Sequence, residues 1–507
     1  MGCDNLPHLS IRSFVSLDQR VVSLEERMSP MFLFPHRLRC FGLVLAPVVL
    51  VAIVSSCGDD DTDAPSHQCA AALVAQAALP DGGGPCAEDD DCSFNGACDA
   101  ATCSCTAPWT GLNCNKLRIA PVDKAVYGYR EGYPHTTSWG ASVQYDAISK
   151  QYLMLVSEYV GECSNWGYNS TVVLATSAKP EGPYERQYRV FGVMSHEAMW
   201  ARGPDGEWVM YFTASKGADG KPRAGDEQVD PALVCVRENY DEPCVCPGPP
   251  EAGSKDPTWM SWTKTPLDST SWSDPILVFD PGGHFTDITG SGERAESIDA
   301  NFNGIILPDG SFVGLWRTWQ CVEDLVAPWR ETLSEAEEGA CYSVAHTVAV
   351  KDWSDPAGYQ EAISKTKGAL AWLFPAQYTP PQLALGLEDP MIYRDKRSPP
   401  VFHAIFHDMF IPGDMVAHAY SEDGVDWTFT GDVLTRDPES NSAVAHFTDG
   451  TCKPIDCERP QLIVKEGVPS HLTIGGIPTA LSDDAQESAS RRGWPGGATL
   501  VIPLATP

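Results

Sequence analysis

Carboxylates recur in this chain a few residues before each of several apolar hairpin signatures. Two carboxyl groups that a fold brings together can divide the acid and base roles of a proton-transfer reaction. Four of the five runs carry an acidic residue, and charges in register with a repeat predict a ligand pocket where the runs meet. The runs are Ser138-Trp139-Gly140, His196-Glu197, Asp299-Ala300-Asn301, Glu388-Asp389-Pro390 and Glu458-Arg459-Pro460.

The hairpin signature reads apolar strand, tight polar turn, second apolar strand. Its five copies have turn centres near Ser149, Asp205, Asp309, Lys396 and Glu466. A supersecondary unit repeated at this spacing is typical of β-propellers, in which each sheet buries its faces against its neighbours. We therefore predict an all-β fold, with a five-bladed β-propeller over residues 117–507. Because inner strands begin near the propeller axis, the five runs are expected to converge there.

Two of the runs resemble segments of family 43 glycoside hydrolases, which are five-bladed propellers. The segments are Ser297-Ile298-Asp299-Ala300-Asn301 and Leu387-Glu388-Asp389-Pro390. The resemblance implies that Glu388 is a general acid, that Asp299 tunes it, and that the substrate is a polysaccharide or oligosaccharide. The first blade departs from the family because its run carries no carboxylate for the base. Hydrolysis generally needs two carboxyl groups, so Glu197 or Asp389 would have to act as the base.

The alternative function is binding of a glycan or a protein without turnover. Its binding residues would be Trp139, His196, Asn301, Glu458 and Arg459. Aromatic rings suit the CH faces of sugars, and Arg459 would either bind a carboxylate ligand or neutralise the ring of acidic residues. In a weaker alternative, an adhesion propeller holds only paired charges at its axis, together with a calcium ion. No other cofactor is predicted.

Composition narrows the class of partner. The chain has 507 residues, 68 acidic against 35 basic, and a net charge of −33. Phosphate binding needs a cationic face, so nucleic acid is excluded as a partner. The length also exceeds one ordinary core, which predicts more than one module.

The first 56 residues are predicted to be a signal region. The apolar run of residues 41–54 is too short to span a membrane but suits a signal peptide. Val54-Ser55-Ser56-Cys57 resembles the lipobox of bacterial lipoproteins, which implies a lipid on Cys57 and anchoring to the bacterial envelope. An ordinary secretory signal is the alternative, and a start at Met31 stays open. Residues 57–85, acidic and glycine-rich, are predicted to be a tether.

Six cysteines crowd residues 86–116, where bridges are expected to replace a hydrophobic core. The tail Cys103-x-Cys105, with Gly111 before Cys114, resembles an EGF-like domain. The resemblance implies a spacer or protein-contact module without metal. It also implies the pairs Cys86 with Cys98, Cys92 with Cys103, and Cys105 with Cys114.

Two further bridges are predicted from proximity in the sequence, Cys321 with Cys341 and Cys452 with Cys457. His403 and His407 alternate with apolar residues on a predicted strand, so both should lie on one face. A packed histidine pair is expected there rather than a metal site.

Overall fold

The computed structural model describes residues 78–126, 128–129, 137–160, 169–226, 257–280, 301–321, 341–365, 387–408, 415–437, 443–455, 457–476 and 498–505. The chain divides into the units Met1–Asp60 and Asp61–Pro507, and these residues all belong to the second. No helix among them is long and apolar enough to cross a membrane. The predicted signal region, Cys57 and Asp299 lie outside the described residues.

A small disulfide-rich module comes first in the described chain. Its bridges Cys86–Cys98, Cys92–Cys103 and Cys105–Cys114 follow the pairing that the sequence resemblance implies. The first strand of the module falls in the stretch that was predicted to be a tether. The elements are β1 (Gly82–Pro85), a 3-10 helix (Asp89–Cys92), β2 (Gly96–Asp99), β3 (Thr102–Cys105), β4 (Trp109–Thr110) and β5 (Lys116–Leu117).

Five antiparallel sheets follow, each in simple chain order, and we number them as blades 1 to 5. Blade 1 is β6 (Thr137–Asp146), β7 (Gln151–Tyr159), β8 (Ser170–Ser177) and β9 (Glu185–Phe191). Blade 2 is β10 (Ser195–Arg202), β11 (Trp208–Ala214), β12 (Thr258–Thr263) and β13 (Ile276–Phe279). Blade 3 is β14 (Asn303–Ile306), β15 (Phe312–Cys321) and β16 (Cys341–Val350), and helix α1 (Pro356–Lys365) follows it.

Blade 4 is β17 (Leu387–Arg394), β18 (Phe402–Asp408), β19 (Met415–Ser421) and β20 (Thr428–Asp432). A separate hairpin, β21 (Ala443–His446) and β22 (Cys452–Ile455), precedes blade 5. Blade 5 is β23 (Glu458–Lys465), β24 (Val468–Gly476) and β25 (Ala498–Pro503). All five predicted hairpins are therefore confirmed as the two inner strands of a blade. In two of their turns, Gly206 and Gly310 adopt φ values of +90° and +84°, which glycine accepts without steric cost.

Apolar clusters between consecutive blades hold the sheets in a ring. Strand β11 shows how a single strand serves two of these clusters. Trp208 and Met210 pack towards blade 1, whereas Val209 and Tyr211 pack towards blade 3. Successive side chains of a strand point to opposite faces, so strands buried on both faces have nearly continuous apolar sequences.

Blade 5 closes the ring onto blade 1. The backbone N–H of Thr499 donates to the hydroxyl of Ser138 at 2.8 Å. The hydroxyl of Thr473 donates to the carbonyl of Ala141 at 2.7 Å. Ile463 and Val501 of blade 5 share a cluster with Val143 of blade 1. The described residues thus form an all-β, five-bladed β-propeller.

The segment after β16 forms a helix, and α1 begins at Pro356. The Asp355 carboxylate accepts a hydrogen bond from the backbone N–H of Ala357 at 3.0 Å, and proline is favoured at the first helical position. Tyr359 and Ile363 of this helix pack into the cluster between blades 2 and 3.

One of the two bridges predicted from proximity is wrong. Cys452 is disulfide-bonded, but Cys457 is a buried thiol. Strand β22 extends the chain from Cys452 to Ile455 and carries Cys457 away, whereas a bridge needs Cα atoms within about 7 Å. Cys321 and Cys341 are directly opposite in the pairing of β15 with β16, and their bridge stays a prediction.

The disulfide-rich module packs against blades 4 and 5. Trp109 and Leu117 belong to the same apolar cluster as Met415 of blade 4 and Leu472 of blade 5. The backbone N–H of Leu117 donates to the carbonyl of Val433 at 2.7 Å. The module therefore contributes to the propeller core, in addition to its own disulfides.

Candidate active site at the propeller axis

Each of the five predicted runs contains one residue in the left-handed backbone conformation. In four of the blades the pairing of the two inner strands shifts register at this point. Such bulges re-aim a side chain, and here they direct side chains from different blades towards one another. The residues, with φ between +38° and +69°, are Gly140, Glu197, Asn301, Asp389 and Arg459.

Four of these residues form a closed polar network, which we call the axial network (Glu197, Asn301, Asp389 and Arg459). The Asn301 amide donates to Glu197 Oε1 and to Asp389 Oδ1, both at 2.7 Å. Arg459 Nη1 lies 2.6 Å from Glu197 Oε1, and the backbone N–H of Arg459 donates to Asp389 Oδ2 at 3.1 Å. All four are buried, so two carboxyl groups and one guanidinium lie against one another away from water.

Blades 1 and 2 each add one further contact to this network. The hydroxyl of Ser157 accepts a hydrogen bond from the backbone N–H of Glu197 at 3.0 Å, and the hydroxyl of Thr213 donates to Glu197 Oε2 at 3.3 Å. Burial lowers the pKa of Arg459 to about 9, which leaves its guanidinium charged at neutral pH. The network therefore joins two buried carboxyl groups to one charged guanidinium.

Gly140 explains why the run of blade 1 has no carboxylate. A Cβ at this position would lie 2.5 Å from the Cβ of Arg459. Atoms cannot approach so closely, and the φ of +69° also favours glycine. The Arg459 side chain of blade 5 thus occupies the space beside Gly140 of blade 1. Of the two roles considered for Arg459, the structure supports neutralisation of the ring.

Glu388 lies beside the axial network but has different partners. It forms an ion pair with Arg317 Nη1 of blade 3, and its Oε1 lies 3.0 Å from His407 Nδ1. The Glu388 side chain keeps 15% of its surface exposed, compared with 5% for Arg317 and 3% for His407. We call these three residues the mouth triad. Its glutamate is the most exposed of the predicted catalytic residues that the structure describes, since the side chains of Glu197 and Asp389 keep 6% and 4%.

The remaining predicted binding residues lie near the same axis with little exposed surface. Trp139 is 8% exposed, and its ring lies so close to Gly475 that a Cβ there would be 3.2 Å away. The ring therefore packs against blade 5 and is not an open platform for a sugar. His196 is buried, 3.5 Å from the Ser170 hydroxyl through Nδ1. Glu458 is half-buried at the start of blade 5.

A metal ion is not favoured by this arrangement. Ligand atoms of Glu388, Asp389 and His407 lie within 4.8 Å of one another, the spacing of a cation site. However, Arg317 already pairs with Glu388, and the Arg459 backbone N–H already donates to Asp389. A cation would have to compete with the guanidinium of Arg317 for the same carboxylate.

Sequence reasoning missed Arg317 and the part that His407 plays. Arg317 interrupts the apolar strand β15, and a charged residue inside a strand that is otherwise buried is a usable signal. Its partner could not be predicted, because Glu388 lies 71 residues away in the next blade. His403 and His407 do alternate on β18, but only His407 contacts Glu388; His403 belongs to a second site described below.

Comparisons with known proteins identify distant structural likenesses. No protein-family model and no curated protein matches the chain. Among solved structures it is similar to a thermostable family-43 glycoside hydrolase, with 8% identity and a TM-score of 0.41 over 77% of this chain and 96% of that one. It is also similar to the catalytic domain of the GH62 α-L-arabinofuranosidase of Coprinopsis cinerea, with 10% identity and a TM-score of 0.41 over 77% of this chain and 98% of that one.

A family 117 glycoside hydrolase of the marine bacterium Zobellia galactanivorans gives 9% identity and a TM-score of 0.39 over 77% of this chain and 90% of that one. The assignment of the fold as a propeller rests on the five sheets and the clusters between them, independently of these distant likenesses.

Proposed function

We propose that the mouth of the propeller binds carbohydrate and does not hydrolyse it. The observation that supports this most strongly is the ion pair between Glu388 and Arg317. A general acid must hold a proton, and an adjacent guanidinium favours the ionised carboxylate. Glu197 and Asp389, the two candidate bases, are committed to Arg459 and Asn301. An acid and a base facing an open pocket are what glycoside hydrolysis requires.

The choice of carbohydrate as the ligand class rests on the resemblance of the Asp299 and Glu388 segments to family 43 sequences. The chemistry of the mouth is compatible with it. Glu388 and Glu458 are partly exposed there, and carboxylates accept hydrogen bonds from sugar hydroxyls. The acidic chain as a whole, with its net charge of −33, favours neutral over anionic sugars.

A glycosidase is the second candidate, and one specific observation favours it. Glu388 is the predicted acid, and its side chain keeps 15% of its surface exposed. In this alternative Asp299, which lies outside the described residues, would complete the catalytic set with Glu388. A substrate hydroxyl or oxygen entering the mouth would then have to replace part of the contact with Arg317.

Calorimetry and product analysis on a panel of oligosaccharides distinguish the candidates. We expect the full chain to bind one class of neutral oligosaccharide, and long incubation to release no shorter product. Glu388→Gln should weaken this binding, whereas Glu422→Gln, at an exposed position of blade 4, should leave it unchanged. Product formation that disappears in Glu388→Gln would instead establish the glycosidase. If the protein neither binds an oligosaccharide nor releases a product, both candidates are refuted.

We also propose that the protein is exported and anchored through a lipid on Cys57. Three disulfides in the small module support an oxidising compartment. Metabolic labelling with a fatty acid tests the anchor. We expect labelled protein in the membrane fraction, and a Cys57→Ser variant that is unlabelled and recovered in the soluble fraction; equal labelling of both proteins would contradict the lipobox.

A further inference from the structure

A second cluster of titratable side chains lies in the same blade, under the disulfide-rich module, and its His403 shares strand β18 with His407 of the mouth triad. It joins Asp395, His403, His418 and Thr430 of blade 4, and we call it the histidine latch. Asp395 Oδ2 lies 3.6 Å from His403 Nε2. His403 Nδ1 lies 3.0 Å from His418 Nε2, and His418 Nδ1 lies 2.8 Å from the Thr430 hydroxyl.

The module covers this cluster. The ring of Trp109 lies 4.9 Å from that of His418, centroid to centroid. Asn115 of the module contacts the carbonyl of Thr430 at 3.5 Å. Only 1% of His403 and none of His418 is exposed. Both imidazoles are therefore kept from solvent by contacts that exist only while the module is in place.

The order of donors in the latch follows from its chemistry. An ionised Asp395 can only accept, so His403 carries its proton on Nε2 and accepts at Nδ1 when it is neutral. His418 then donates from Nε2, and its Nδ1 faces the Thr430 hydroxyl, which also lies within donating distance, 3.2 Å, of the carbonyl of His418. With both imidazoles neutral, one nitrogen of the His403–His418 contact donates and the other accepts.

Added protons disrupt this arrangement. A proton on His403 Nδ1 would point at the N–H of His418, so His418 would have to move its own proton to Nδ1. A second proton leaves two N–H groups opposed and two positive charges 3.0 Å apart, between two side chains that are almost fully buried. The latch therefore tolerates one proton and is broken by two.

The surrounding charges do not offset this effect. Arg397 pairs with Asp395 at 3.1 Å and reaches Asp89 of the module at 3.6 Å, so it adds positive charge beside His403.

Burial lowers the pKa of His403, although Asp395 opposes the shift. Burial together with His403 lowers the pKa of His418 well below its usual value. The other charged groups nearby are Lys396, which lines the same small cavity, Lys116 of the module and Asp432 of β20.

A cavity of about 70 Å³ at the same junction provides a route for the protons. It is lined by Trp109 of the module and by Asp395, Arg397 and His403 of the propeller. A space of this size holds water. Solvent can thus reach the Asp395 end of the latch before the module has moved.

We propose that the histidine latch holds the disulfide-rich module on blade 4 at neutral pH and releases it in acid. The sign follows from the buried, neutral histidines, whose pKa values are lower in the closed state than in solvent. The closed state has its full stability above the solvent value of about 6.5. It loses stability as the pH falls below that value, because the open state then binds more protons.

Hydrogen exchange on the full chain tests the latch. Between pH 7.5 and 5.5, after correction for intrinsic exchange rates, we expect backbone amides of residues 102–117 to lose protection by about tenfold or more. Amides of β11 in blade 2 should keep theirs. His418→Gln should make protection of the module independent of pH in this range, even if its protection at pH 7.5 is lower.

His471 provides a matched control, because burial lowers its pKa to about 4 and it lies in blade 5 beside Glu181. His471→Gln should leave the pH response of the module as in the wild type. The proposal is overturned if the protection of the module in the wild-type protein is the same at pH 7.5 and 5.5. It is also overturned if His471→Gln abolishes the pH response of the module as His418→Gln does.

Should His418→Gln fail to fold, NMR titration of the histidine rings in the wild-type protein takes its place. The signals of His403 and His418 should then titrate at the pH at which the module loses protection. If the titration midpoints of these signals differ from the midpoint of the loss of protection by more than about one pH unit, which is roughly tenfold in proton binding, the coupling is refuted.

Discussion

The axial network and the histidine latch both bury polar side chains between packed sheets, but in different charge states. The axial network holds two carboxylates and a guanidinium, and Arg459 contacts Glu197 at 2.6 Å. The latch holds two neutral imidazoles in a hydrogen-bonded line that ends on one carboxylate. Charged groups need partners of opposite sign when they are buried, whereas neutral groups need only hydrogen bonds.

This difference determines how each region responds to change. Loss of one partner leaves a buried charge in the axial network, so a substitution there should be severe at neutral pH. The latch is sensitive to acid, because a second proton places two positive charges at the His403–His418 contact. One propeller thus combines an axis that depends on charge pairing with a peripheral contact that depends on neutrality.

The largest effect is expected from Arg459→Met. The variant keeps most of the side-chain volume but leaves Glu197 and Asp389 buried without their cation, which should lower the free energy of unfolding by about 3–5 kcal/mol. Urea denaturation at pH 7.5 measures it. A loss below about 1 kcal/mol would show that Asn301 alone satisfies the two carboxylates, and that the two regions do not differ as described.

His346 allows burial of a neutral histidine to be tested without a hydrogen-bonded chain. It stacks on Trp316 with ring centroids 5.0 Å apart, and neither ring nitrogen has a hydrogen-bond partner among the described residues. Burial lowers its pKa from 6.5 to about 4. The contribution of His346 to the free energy of unfolding is therefore fully present above pH 6.5 and is lost as the pH falls towards 4.

His346→Phe keeps a stacked ring and removes the titration. Between pH 7 and 4 the wild-type protein should lose about 3 kcal/mol more stability than the variant, since one pKa unit is worth about 1.4 kcal/mol. Thermal unfolding over this pH range provides the measurement. Parallel pH profiles of the two proteins would mean that burial of an imidazole is not sufficient to confer sensitivity to acid.

A smaller effect is expected where blade 1 meets Arg459. Gly140→Ala places a Cβ against that of Arg459, whereas at Gly206, which also has a positive φ, an added Cβ would meet no atom within 4 Å. In both variants the left-handed backbone conformation should lower the free energy of unfolding by about 1 kcal/mol. Crowding against Arg459 should add about 2 kcal/mol to the loss in Gly140→Ala. In an Arg459→Gly background, which removes that Cβ, this excess should vanish; if it persists, Arg459 is not its cause.

Features that depend on local residue pattern could be predicted from the sequence, whereas contacts that form only when the blades close into a ring could not. Hairpin turns, inner strand starts and the absence of a carboxylate at Gly140 follow from residue types and spacing. Arg459 filling that space, and Arg317 pairing with Glu388, require blades that are adjacent only in three dimensions. The His403–His418 contact joins neighbouring strands of one sheet, but its burial depends on Trp109, more than 300 residues earlier.

The smallest effect is expected from an ion pair of the same chemistry near the surface. Arg436 Nη2 lies 3.0 Å from Asp432 Oδ2, and about a quarter of each side chain is exposed. Water screens such a pair, so Arg436→Met should change the free energy of unfolding by less than about 1 kcal/mol. The same substitution at Arg459 and at Arg436 thus isolates burial as the variable. Equal losses at the two positions would attribute the stability of the axis to packing around the side chain, and not to the buried charges that distinguish it from the latch.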